Sequence, residues 1–249
     1  MKTVVDIIIL SYAKNDKLKK LTLDTVSTLS QSEDAGDISF NVIVIESNKQ
    51  IKPYTYPNTS TIYPRSKFGF NKYINIGLAK SHNQYVCICN NDLIFHKNWA
   101  SEIIKAFKAD KTLYSASPYC ANNQGIRGIE KDSGLYYGYE LFKEISGWCF
   151  MVRRDIFDII GKLDPNFKFW YSDNDYANLL TKHNLKHALV SSSLVDHLDS
   201  QTISAENEVN RQKLTTDEYI YYDYKWSHKK YWLYIYRKYR EIWKRAKNK

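Results

Sequence analysis

Four polar runs and one histidine carry the side chains of this sequence that could bind or transfer a charged group. Ser11-Tyr12, Glu46-Ser47-Asn48 and Asn90-Asn91-Asp92 each close an apolar stretch, Ser172-Asp173-Asn174-Asp175 opens an amphipathic one, and His197 follows the last apolar run. A carboxylate such as Glu46 is suited to accept hydrogen bonds from a base or ribose. Asp92 offers the oxygen ligand that a hard divalent cation prefers, and such a cation neutralises a diphosphate. Taken singly these are weak signals. Strand-end Asp and Asn are commonly turn formers, Asp173 and Asp175 suit the positive end of a helix dipole, and a lone histidine is often only a loop residue. Lys67 and Lys72 flank a glycine-containing segment, where they could reach a diphosphate or equally be solvated.

The elements that would hold these residues alternate in type. Val4 to Leu10 is an apolar, β-branched run. Leu18 to Leu29 has helical spacing, Phe40 to Ile45 reads as a buried strand, Ile51 to Pro64 as a loop, Asn71 to Ala79 as a helix despite Gly77, and Tyr85 to Cys89 as a third strand. Continuous apolar runs separated by helices are what a parallel sheet covered on both faces requires, so the class is α/β. In such sheets ligands sit beyond the carboxyl ends of the strands, where the first three polar runs fall. Asn122 to Gly138, with four glycines, reads as a long loop over a site. Gly147 to Val152 is a strand, Arg153 to Ile160 a helix stopped by Gly161, Asp173 to His183 a helix, and His187 to Val195 a final strand.

In order and spacing these pieces resemble the GT-A glycosyltransferases of the family-2 type, from residue 4 to about 200. The resemblance is carried by Ile8-Ile9-Leu10-Ser11-Tyr12-Ala13, by Val42-Ile43-Val44-Ile45-Glu46-Ser47-Asn48, and by Gly69, Asn75, Gly77 and Ala79. It continues through Asn90-Asn91-Asp92, Gly147, Arg153-Arg154, Phe157, Gly161-Lys162-Leu163-Asp164-Pro165, Phe167, Ser172-Asp173-Asn174-Asp175 and Val195-Asp196-His197-Leu198-Asp199-Ser200. It implies a Rossmann-like, mixed and mostly parallel sheet flanked by helices over residues 1–215, and a hexosyl- or pentosyltransferase that uses a UDP-sugar or another nucleoside-diphosphate sugar with inversion. Carried over, Ser11, Tyr12, Glu46, Lys72 and Asn91 would bind the donor nucleotide, and Asp92 and His197 would hold Mn²⁺ or Mg²⁺. Asp173 would be the general base, with Gly147, Trp148 and Asp175 on the acceptor side. Asn90 stands where the family has Asp, and the ribose-binding Asp is the longer Glu46. A binding module that kept the fold and lost catalysis is the rival that Asn90 raises.

The remaining 216–249 form a basic, aromatic, helical tail. Residues 225–249 hold ten Lys/Arg and one acid, a net +9 that equals the charge of the whole chain. Trp232, Ile235, Tyr236, Tyr239, Ile242, Trp243 and Ala246 recur at helical spacing among the cations, which makes an amphipathic helix. Three readings stay open: an interfacial helix on an anionic membrane, a nucleic-acid contact, or a helix packed on the catalytic domain. The 21 tyrosines and the block Phe169 to Tyr176 resemble glycosyltransferases carried by bacteriophages, some of which modify hydroxymethylated pyrimidines in DNA. DNA is therefore the leading acceptor, and a cell-surface or lipid-linked glycan the alternative. With 43% hydrophobic and 25% charged residues the composition excludes disorder and collagen. No run reaches the ~18–20 apolar residues of a membrane span, and no export signal is read. Cys87, Cys89, Cys120 and Cys149 form no metal motif and read as buried thiols of a reducing cytoplasm, the host's if the protein is viral, with peripheral membrane attachment as the variant.

Overall fold

The computed structural model describes residues 2–50, 52–198, 208–227 and 229–247. Ile51, Asp199, Ser200 and Lys249, which entered the reading above, lie outside the described residues. A nine-stranded mixed sheet is built from β1 (Thr3–Ser11), β2 (Ile38–Glu46), β3 (Thr59–Ile62), β4 (Tyr85–Cys89), β5 (Leu93–Phe95), β6 (Leu113–Tyr119), β7 (Leu135–Tyr137), β8 (Cys149–Arg153) and β9 (Lys186–His197). Its order is β3-β2-β1-β4-β8-β6-β9-β5, with β7 on β9. The strands β3, β2, β1 and β4 run parallel, as do β6 and β9, while β8, β5 and β7 pair antiparallel.

The period of two along β1 explains its unbroken apolar run. Val5, Ile7 and Ile9 enter one core with Trp99, Ile103 and Phe107 of α3 (Trp99–Ala109) and Val26 and Leu29 of α1 (Asp16–Gln31). Ile8 and Leu10 enter the other with Tyr73 and Ile74 of α2 (Phe70–Leu78) and Tyr176 and Leu180 of α5 (Ser172–Lys182). Both faces are covered, so neither needs polar residues. Asp6 is the exception, fully buried, and its carboxylate accepts from the His82 and Asn83 backbone amides at 2.7 Å each and from the Asn41 and Asn83 side chains. Gly77 is required by contact: a Cβ there would lie 2.6 Å from Ile8 Cγ2, so α2 can lie this close to β1 only with glycine.

Three segments differ from the sequence expectation. The loop expected over 51–64 contains β3, an edge strand too short and polar to show a period. The loop expected over 122–138 contains a 3-10 turn at Gly125–Arg127 and β7, whose register on β9 runs from Leu135↔Val190 to Tyr137↔Ala188. The boundary expected after residue 215 falls inside α6 (Glu208–Trp226), which continues into α7 (Tyr231–Lys247) after a short turn. A short α4 (Ile156–Ile160) follows β8. All four cysteines are buried and free, with Cys87 and Cys149 Sγ 3.7 Å apart across β4 and β8. No helix among the described residues is long and apolar enough to cross a membrane.

Candidate functional site

The parallel register of β1 and β2 ends with Ser11 beside Glu46. Glu46 is fully buried. Its Oε1 accepts from the Ala13 and Asn48 amides (3.1 and 2.8 Å), and its Oε2 from Ser11 Oγ (2.7 Å) and Tyr56 OH (3.2 Å). A carboxylate expected to face a nucleoside is thus taken up by its own chain, and it fixes the turn that carries Tyr12. Burial first, with Glu46 adding to it, pushes the Tyr56 phenol up to about 12, so Tyr56 remains a donor. Asn91 is likewise turned inward: its amide donates to Thr22 Oγ1 (2.9 Å), which pairs with Ser11 Oγ (2.9 Å). Tyr12 is half-buried at the same strand ends, and Lys72 is half-buried in the first turn of α2.

Asp92 and His197 meet because β5 pairs antiparallel with the end of β9, Leu93 opposite His197, and because the Leu198 amide donates to the Asp92 carbonyl at 2.9 Å. His197 Nε2 lies 3.3 Å from Asp92 Oδ1. That carboxylate is 3% exposed, and its Oδ1 is buried without a hydrogen bond. The Trp148 indole stacks on His197, with ring centres 5.2 Å apart and planes at 9°, and its carbonyl accepts the Asn90 amide at 2.8 Å. Trp148 Nε1 is also buried without a hydrogen bond. Asp92 Oδ1 has the His197 imidazole beside it, whereas a buried donor such as Trp148 Nε1 with no acceptor is rare in folded proteins and calls for a ligand or water. No cluster of three or more His, Cys, Asp or Glu able to hold a metal occurs among the described residues. Two donors still suit Mg²⁺ or Mn²⁺, which keep waters and take their other oxygens from a substrate diphosphate.

Next to Trp148 in the chain, Gly147 faces Asp173. A Cβ on Gly147 would lie 2.8 Å from Asp173 Cβ and 2.9 Å from Oδ2. Gly147 and Asp173 share a narrow recess with Phe70, Ile74, Ile145 and Phe150. Burial raises the Asp173 carboxyl, against a hydrogen bond from the Asn174 amide at 2.9 Å. A raised carboxylate is a stronger proton acceptor. A contiguous run of contacts therefore links Glu46, Ser11, Thr22 and Asn91, and, through the neighbouring Asp92, reaches His197, Trp148, Gly147 and Asp173.

Asp175, expected on the acceptor side, does not join this set. It is 1% exposed beneath α6, where Oδ1 accepts from Trp226 Nε1 (2.8 Å) and pairs with Lys225 Nζ (2.7 Å). The reason is helical periodicity: two residues on from Asp173 is about 200° around α5. The residues that sequence reasoning missed come from α6. Glu218 Oε2 accepts the Lys168, Phe169 and Trp170 amides (3.2, 3.1 and 2.7 Å), and Tyr222 stacks on Tyr171 at 5.2 Å. Tyr171 enters α5 with φ +59°, a left-handed conformation that costs a non-glycine residue about 1–2 kcal/mol. The tail thus braces the strained entry to the helix bearing Asp173. Glu218, Tyr221, Tyr222 and Lys225 are spaced as one helical face, the signal that could have revealed this.

The sheet order and the helices on both of its faces are those of a GT-A fold. The chain belongs to glycosyl transferase family 2, whose family model matches residues 7–161. Its fold is similar to that of "GalNAc-T7 with UDP, GalNAc and Mn2+" (TM-score 0.59, 13% identity, 79% of this chain and 44% of that one). It is also similar to S. aureus TarS 1–349 (TM-score 0.54, 13% identity, 77% of this chain and 58% of that one). The chain thus spans about half the length of these structures. No curated protein matches it.

Proposed function

We propose that the protein moves a sugar from a nucleoside-diphosphate sugar to an acceptor hydroxyl, with inversion at the anomeric carbon. One observation carries the reading: the buried Asp92–His197 pair packs on Trp148, and the raised Asp173 packs on the adjacent Gly147. Asp173 takes the proton of the acceptor hydroxyl. The acceptor oxygen forms the new bond to the anomeric carbon, the bond from that carbon to the diphosphate oxygen breaks, and its electron pair leaves with the nucleoside diphosphate. Asp92 and His197 would hold Mn²⁺ or Mg²⁺, which supplies countercharge to the departing diphosphate. The fold neighbour carrying UDP and Mn²⁺ supports a UDP-sugar as the first donor to test. Glu46 acts through the Tyr12-Ala13 turn and Asn48 rather than by touching the nucleoside. Asn91 and Ser11 brace the same wall, and Lys72 is a candidate diphosphate contact.

A DNA hydroxymethyl group and a glycan hydroxyl are both alcohols that Asp173 can deprotonate. A glycan presented at a lipid surface is favoured by the outward aromatic face of α7 described below, and DNA is the second reading. The test is release of nucleoside diphosphate from a panel of UDP- and other nucleotide sugars with Mn²⁺ or Mg²⁺, with D173N and D92N as controls. The expected result is turnover that D173N lowers by about 10²–10⁴-fold. Donor binding without turnover, unaffected by D173N, would instead identify a binding module that kept the fold.

A further inference from the structure

Of the six cations of α7, Arg237 and Arg245 turn to α6, and the other four lie along the flanks of an uncovered aromatic face. Trp232, Tyr236, Tyr239 and Trp243 are 64, 58, 66 and 59% exposed and recur at four, three and four residues, so they form one stripe along a helix about 25 Å long. Ile242, half exposed, and Ile235 widen the stripe with aliphatic surface. The opposite side of α7 is occupied by α6: Tyr234 stacks on Tyr224 at 4.9 Å, Arg245 pairs with Asp217 at 2.7 Å, and Arg237 pairs with Asp223. No residue of α7 is buried. Lys247 lies over the Trp243 ring at 3.7 Å, Arg240 and Lys244 approach Glu241, and Lys238 lies over Tyr234. The stripe thus points away from the protein with basic side chains along its flanks.

We propose that this face docks on an anionic lipid bilayer, with α7 lying in the plane of the interface. Trp and Tyr suit the headgroup level, Ile reaches the acyl boundary, and flanking Lys and Arg meet lipid phosphates. Charge decides against the other occupants. A second copy stacked stripe to stripe would oppose Lys238, Arg240, Lys244 and Lys247 and a single acid, Glu241, on each side. A nucleic-acid surface would put cations outermost, whereas here they flank aromatic and aliphatic side chains, and the isoleucines have no use against phosphates. Through Trp226 and Asp175, α6 ties this face to the helix bearing Asp173, so a docked protein would hold its recess at a set distance from the membrane. The docking itself does not depend on the transferase reading.

Flotation of the full-length protein with vesicles of phosphatidylcholine, with and without phosphatidylglycerol, tests this with no donor present, so it fails or succeeds separately from catalysis. Binding is expected only with phosphatidylglycerol, weakening as salt rises. It should fall by at least tenfold in W232S/W243S, and by about fivefold for each of K238Q and K247Q. These side chains are exposed, so the variants should keep the parent melting temperature. The proposal is overturned if the protein stays unbound at every phosphatidylglycerol content. It is equally overturned if W232S/W243S floats like the parent, if DNA is bound in preference to the vesicles, or if the stripe proves to hold a dimer that W232S/W243S splits.

Discussion

Gly147→Ala puts the proposed base under direct steric test. The added Cβ would lie 2.8 Å from Asp173 Cβ and 2.9 Å from Oδ2, where carbon atoms normally stay about 3.5–4.0 Å apart. About 0.7 Å must be regained by moving the Asp173 side chain or the entry to β8. Gly147 is not among the residues with positive φ, so alanine adds crowding and no backbone strain. A reacting group displaced by about 1 Å can lose ~10²-fold in rate, so kcat should fall about 30–100-fold. The overlap should cost about 1–3 kcal/mol of stability. Nucleoside-diphosphate release at saturating donor reads the first quantity and thermal unfolding the second, and the donor KM should stay within about twofold. In a D173N background the same change should lower kcat little further, because the two act on one group. A G147A protein with parental kcat and a lowered melting temperature would show that the carboxylate beside Gly147 is not the base.

Three further outcomes follow from the geometry. The acid limb of kcat/KM should lie above the usual carboxylate range, because burial raises Asp173 and the rate climbs with pH as the base loses its proton; D173N should abolish that limb. K225M removes the cation from the buried Asp175, and should cost about 3 kcal/mol in denaturant unfolding, the low end for a broken buried pair because Lys225 stays a quarter exposed. Burial holds His187 down at about 4, against a hydrogen bond to the Glu144 carbonyl at 2.9 Å. The unfolded chain then binds more protons than the folded one between about pH 6.5 and 4, so about 3 kcal/mol of stability should be lost on acidification through that window. H187N should flatten this part of the stability–pH curve, and an unchanged slope would refute the assignment.

The polarity pattern of the chain determined the class of fold and the strand ends to inspect. Val4 to Leu10 and Val42 to Ile45 can only be buried on both faces, and polar residues at the ends of such strands must meet solvent or ligand. The strand-end positions of Asp92 and His197 were legible for that reason, whereas Gly147 entered only through the family resemblance. Three matters were decided by tertiary contact alone. Glu46 looks in sequence like a ligand-facing carboxylate, but Ser11, Ala13, Asn48 and Tyr56 converge on it from segments up to 35 residues away and use up its oxygens. Asp175 looks like a partner of Asp173, yet helical periodicity turns it to the opposite side, where Lys225 and Trp226 close over it. The tail looks like an independent basic appendage, whereas α6 braces the backbone at 168–170 through Glu218 and holds one side of α7, whose outer aromatic side stays exposed. Local pattern fixes which side chains must be buried or capped, because burial and helix geometry act within a few residues. Which carboxylate keeps a free oxygen depends on donors that arrive from distant parts of the chain, and only the assembled fold brings them together.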